Sequence, residues 1–264
     1  MITKHSLIIK FIPSIVLLAA GFYQSNGLLV QLSISWVLLS LFDRKDPRAL
    51  GLLPTTKTTT QVFVGFAIAI IICAFNYYLQ TVFSGSTWLL NKAFTWPGFF
   101  SGSWWVMQSV LYEELIFRGA LLYIAIKKIG AKKACMLSAI CFGVYHWFSM
   151  GAFGNWVSMA CLFIGTGIMG YIFALAFAKT RSMYLPIGLH FGWNFINTII
   201  FSQGPIGDQL LISKRGDRFN VYESIIVTLV QFVVFPLAAF IYIKIWKGDG
   251  DKQIVEYAQD SLAK

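Results

Sequence analysis

Apolar residues in this chain run in stretches of membrane-crossing length, separated by short polar or charged connections. A spanning helix needs about 20 mostly apolar residues. Eight stretches fit, at about 6–23, 26–42, 61–80, 99–126, 132–150, 154–178, 182–201 and 222–246. The pattern predicts an all-α, polytopic transmembrane helix bundle of about eight spans, with 1–264 forming a single integral membrane domain. The first stretch has two marks of a signal peptide, a basic flank (Lys4, Lys10) and the small residues Ala19-Ala20-Gly21. The Lys10 interruption and the apolar stretch that follows closely favour a retained helix, paired with the second stretch as a hairpin. Pro47, Gly51 and Pro54 argue against a continuous helix in 43–60, which is read as a cytoplasmic connection at the membrane surface. Residues 247–264 read as a short charged cytoplasmic tail.

Composition supports the membrane class. Hydrophobic residues make up 57% of the 264 and charged residues only 12%, against about a quarter charged in a soluble domain. The net charge of +10 would raise the question of nucleic acid in a soluble protein. Here the basic residues cluster between apolar stretches, so nucleic-acid binding is set aside. The clusters around Lys4 and Lys10, Arg44 to Lys57, Lys127 to Lys133, Lys179 and Arg181, and Lys244 to Lys252 fall on alternate connections. The positive-inside rule then puts both termini in the cytoplasm. Lys214, Arg215 and Arg218 are the exception, on a connection expected outside. The four cysteines have no metal-ligand spacing and read as small buried hydrophobes.

Charge inside an apolar stretch is costly and normally faces the bundle interior with a partner. The stretch SVLYEELIFRGALL carries Glu113, Glu114 and Arg118. Glu114 and Arg118 are four residues apart and share a helix face, a structural pair on its simplest reading. Glu113 is rotated by about 100° and is left for another partner. His146 lies near the end of the fifth stretch, while His190 and Asn194 share one side of the seventh, with Asn197 close by. A single membrane histidine is most simply an interhelical hydrogen-bonding residue. Two of the chain's three histidines beside its buried acid pair favour a shared site.

Water activation is the chemistry such a set supports. Glu113, with His146 to orient or relay, would take a proton from water. Amide hydrolysis also needs donors for the developing oxyanion, and His190 and Asn194 can both donate. A Glu with two His could in principle ligate zinc, but no HExxH occurs and these residues already fill the base and donor roles. The reading carries no metal and no cofactor.

These residues fall in three motifs. EELIFR (Glu113 to Arg118) resembles the EExxxR motif of the CPBP family, which contains the type II CAAX prenyl endopeptidases and bacterial proteins labelled Abi. Phe142 and His146, in FGVYH, resemble its FxxxH motif, and His190 and Asn194, in HFGWN, its HxxxN motif. The three occur in order on separate apolar stretches and cover about 99–201, the motif-bearing core. The resemblance implies a glutamic-type intramembrane endopeptidase. By it, Glu113 and His146 activate water, His190 and Asn194 form the oxyanion site, and Glu114, Arg118 and Phe142 support them. It implies a peptide or protein substrate, the lipid bilayer as surroundings and a bacterial cytoplasmic membrane as location. The substrate, the oligomeric state and the side on which the site opens are not specified. Two other functions fit the same residues: a non-enzymatic immunity or binding protein that keeps the motif as a structural core, and a proton-coupled transporter with Glu113 and His146 as a relay.

One feature strains the arrangement. A fourth helix starting at Pro97 puts Glu113 some 16 residues in, whereas His146 sits near the far end of the fifth. Interfacial placement of 97–104, with the span starting near Trp104, would bring the two to one depth.

Overall fold

The structure, a computed structural model, describes residues 27–42, 50–214, 216 and 218–246. The expected first span at 6–23, residues 43–49 of the 43–60 connection and the 247–264 tail lie outside the described residues. The remaining apolar stretches are helices. These are α1 (Gly27–Phe42), α2 (Thr56–Ser84), α3 (Trp96–Arg118), α4 (Ala120–Ile129), α5 (Ala131–Ser149), α6 (Trp156–Thr180), α7 (Tyr184–Phe195), α8 (Val221–Leu229) and α9 (Phe235–Ile245). A π turn (Ile196–Ile200) prolongs α7, and a second (Val230–Val234) joins α8 to α9 as one rod.

The all-α expectation holds. Among the described residues, three helices are long and apolar enough to cross a membrane: Thr56–Ser84, Trp156–Thr180 and Val221–Ile245. α1 has 16 residues and α7 has 12 before its π turn. α3 and α5, with 23 and 19 residues, have the length but carry polar and charged side chains. The stretch 99–126 is divided at Gly119, where the chain leaves helical geometry (φ −75°, ψ −139°). A Cβ there would stand 2.2 Å from the Leu115 carbonyl oxygen. Residues 97–104, expected at the membrane interface, belong to the same helix as Glu113. Thr95 accepts a hydrogen bond from the Gly98 N–H, Pro97 occupies the first turn, and α3 runs unbroken from Trp96.

Two short strands accompany the helices. β1 (Thr87–Leu90) pairs antiparallel with β2 (Leu211–Lys214), Thr87 opposite Lys214 and Leu90 opposite Leu211. Four-residue strands carry no readable period. Trp88 anchors β1 instead, its indole N–H donating to Thr81 Oγ1 and its ring meeting Tyr77 and Phe201 edge-on.

Among the helix pairs, α2 with α7 and α5 with α6 make the most extensive contacts. Small residues let α2 and α7 approach. The Gly188 Cα lies so near α2 that an added Cβ would stand 2.3 Å from the Val62 carbonyl oxygen. Close backbone approach of this kind substitutes for the hydrophobic drive that helices lack in lipid. Gly188→Ala must push the helices apart and is expected to cost about 1–3 kcal/mol, read as a lower unfolding temperature in detergent. Gly167→Ala is the control, because its Cβ meets only the Ala139 carbonyl oxygen at 3.7 Å.

Candidate active site

The EELIFR segment forms the last two turns of α3 and delivers its charges into the bundle. Glu114 and Arg118 are completely buried, while the Glu113 side chain keeps 14% of its exposure. Four residues is just over one turn, so Arg118 Nη1 reaches Glu114 Oε1 at 3.2 Å. The other guanidinium end, Nη2, donates to the Gly170 carbonyl oxygen of α6 at 3.2 Å. Aromatic faces surround the cation, with the Phe142 ring centroid 4.3 Å from Cζ and that of Phe173 5.1 Å away. Cation–π attraction strengthens when water is excluded.

His190 of α7 joins the two glutamates. Its Nδ1 bonds Glu114 Oε1 at 2.8 Å, and its Nε2 lies 3.8 Å from Glu113 Oε2. An ionised carboxylate only accepts, so Nδ1 carries the donated proton. The ring stacks on Phe173 at 5.0 Å and 22°, which leaves its Nε2 edge aimed at Glu113. At 3.8 Å that contact is too long for a hydrogen bond. Glu113 Oε2 is buried and has no hydrogen-bond partner among the described residues. Glu114 Oε2 is likewise buried without a partner, so the two adjacent glutamates differ at the other oxygen: Glu114 Oε1 accepts from Arg118 and His190, while Glu113 has only the long contact with His190.

His146 is 7% exposed. Its Nδ1 lies 2.8 Å from the Phe142 carbonyl oxygen. A carbonyl oxygen accepts only, so Nδ1 is the protonated nitrogen and Nε2 of the neutral ring is an acceptor. The Phe142 ring stands edge-on to His146 at 4.5 Å and to His190 at 6.1 Å. This phenylalanine packs against both imidazoles and the guanidinium.

The structure thus gathers Glu113, Glu114, Arg118, Phe142 and His190 in direct contact, with His146 attached through Phe142. It does not pair Glu113 with His146. His190 is the imidazole that faces Glu113. Asn194 is half-buried one turn beyond His190 and makes no hydrogen bond among the described residues. Asn197, in the π turn, is taken by α2 instead, its Oδ1 accepting from the Tyr77 hydroxyl.

Two contributors from α6, the Gly170 carbonyl and the Phe173 ring, were not legible in the sequence. One is a backbone atom and the other an aromatic in an apolar run, so neither breaks a pattern. Among the described residues no group of three His, Cys, Asp or Glu side chains is disposed to hold a metal ion.

Residues 94–196 match a family described as Type II CAAX prenyl endopeptidase Rce1-like. The match takes in all of α3 to α7, and so every residue of the cluster. No curated protein and no solved structure matches the chain.

Proposed function

We propose that this chain, which over residues 94–196 belongs to the type II CAAX prenyl endopeptidase family, hydrolyses a peptide bond within the membrane by direct attack of water activated at Glu113. Its substrate is a peptide or protein presented at the bilayer. What supports this reading is the contrast within the acid pair: Glu114 Oε1 is held by Arg118 and His190, while Glu113 has no such bond and its Oε2 faces His190 Nε2 at 3.8 Å.

The roles follow from donors and acceptors. Glu113 takes a proton from water as the oxygen attacks the carbonyl carbon. His146, with Nδ1–H held by the Phe142 carbonyl, offers Nε2 as a second acceptor for that water or its proton. His190 and Asn194 serve the opposite charge. With a proton on each ring nitrogen, His190 donates from Nδ1 to Glu114 and from Nε2 toward the reacting carbonyl. Asn194 adds an amide N–H to the same oxyanion. Collapse of the tetrahedral intermediate breaks the C–N bond, and the leaving amine takes the proton held by Glu113. Glu114 does not touch the substrate and acts as a positioning residue for His190.

Comparative peptidomics of cells producing wild-type or Glu113→Gln protein at matched membrane levels tests this reading. Peptides ending at new internal carboxylates are expected only with the wild type. Identical peptide sets would remove the peptidase function.

A further inference from the structure

The β1–β2 sheet is not used by the chemistry above, and its edge is open among the described residues. The Asn91 N–H donates to the Leu210 carbonyl oxygen. With Leu90 opposite Leu211, this bond fixes which residues bond across the pair. Asn91, Leu89 and Thr87 turn their backbone groups toward β2, and Trp88 and Leu90 turn theirs away, because hydrogen-bonded and non-hydrogen-bonded pairs alternate. The outward N–H and C=O groups of Trp88 and Leu90 meet no partner among the described residues. The side chains beside them are apolar and open, with Leu89 at 55% and Leu90 at 65% exposure. Open edges of this kind are ordinarily blunted by charge, proline or a cover, and TWLL contains neither charge nor proline.

The sheet is also joined to both helices of the acid site. The Leu210 N–H donates to the Ile199 carbonyl oxygen in the π turn that ends α7. Asn91 Nδ2 clamps the same loop through the Asp208 and Gln209 carbonyl oxygens at 3.2 and 2.8 Å. Gln209, Ile206 and Ile199 all press on Gly102 of α3. The 206–210 segment therefore bridges the helix that carries Glu113 and the helix that carries His190. Gly102 is eleven residues before Glu113, or roughly 16 Å along the axis at about 1.5 Å per residue.

We propose that the outer edge of β1 is the docking strand for the substrate: an extended, apolar peptide segment flanking the scissile bond pairs with the backbone of Trp88 and Leu90 as a third strand. Main-chain pairing supplies affinity and Leu89 and Leu90 supply apolar contact. An extended substrate backbone also presents its scissile carbonyl free of helical hydrogen bonding. This inference rests on the peptidase reading.

The test compares proline and alanine at one position. Leu90→Pro deletes an N–H that points away from β2, so no β1–β2 bond is lost, whereas Leu90→Ala keeps that N–H. Ser213→Pro does the same on the outer edge of β2 and reports any general weakening of the sheet. Each variant is produced in cells at a matched membrane level, and Glu113-dependent peptide products are quantified. Leu90→Pro is expected to lower product yield about tenfold, the order of one lost hydrogen bond. Leu90→Ala and Ser213→Pro are expected to stay within about twofold of wild type, because each keeps the outer β1 N–H groups. Equal yields from Leu90→Pro and Leu90→Ala would overturn the docking strand, as would an equal fall in Leu90→Pro and Ser213→Pro. A wild type that yields no Glu113-dependent peptides would instead overturn the peptidase reading on which the strand depends.

Discussion

Arg118→Leu is expected to lower the unfolding free energy by about 3–5 kcal/mol, the cost of leaving a buried charge without its partner. Against a total of about 5–15 kcal/mol for a folded domain, much of the protein should fail to reach a monodisperse state in detergent. Glu114 is fully buried with Arg118 and takes the other share of its neutralisation from His190. Removing the guanidinium also leaves the Gly170 carbonyl without its side-chain donor and vacates the space between Phe142 and Phe173. The double replacement Glu114→Leu/Arg118→Leu removes both charges together and should be recovered folded in larger amount than Arg118→Leu. It should nevertheless be inactive, because His190 loses the carboxylate that orients it. Size-exclusion profiles and unfolding temperatures in detergent check the order wild type, double variant, single variant. A single variant as stable as wild type would show that the pair does not hold the bundle.

His190→Ala is expected to reduce turnover by about 10²–10³, the effect of losing one oxyanion donor, with a smaller change in KM. The imidazole reaches Glu114 at 2.8 Å and Glu113 at 3.8 Å, so its removal also leaves Glu113 without the ring nitrogen that faces it. Glu114→Gln should show a milder fall in kcat, since an amide oxygen can still accept from Nδ1 but no longer carries charge. Kinetics on a peptide found by the cellular comparison separate the two. Equal and near-wild-type kcat in both variants would exclude a role for His190 in the transition state.

The sequence made the local pairings readable and left the interhelical ones hidden. Glu114 and Arg118 meet because four residues is about one helical turn, a relation printed in the order of residues. Their separation from Glu113 by about 100° is equally local. The contact of His190 with Glu114 spans 76 residues, and nothing in spacing alone chooses between His146 and His190 as the imidazole facing the acid pair. That choice is made by packing. Gly188 brings α7 close to α2, and Phe173 stacks the His190 ring into place. The break at Gly119 was concealed for a different reason. A single glycine in an apolar run is compatible with a continuous helix, and only the close Leu115 carbonyl shows why this one is not. The β1–β2 pair was invisible because its strands have four residues each and are held by Trp88 and Asn91 rather than by an alternating pattern.

The central claim is that Glu113 activates the attacking water, and its most direct measurement is turnover by purified protein in proteoliposomes. Wild type and Glu113→Gln are compared on one peptide drawn from the cellular comparison, with the new carboxylate and amine ends identified by mass spectrometry. Gln keeps the shape of Glu113 but cannot accept the water proton, so turnover is expected to fall by about 10²–10⁴, with the unfolding temperature close to that of wild type. Cleavage of the same bond by Glu113→Gln at the wild-type rate would contradict the account.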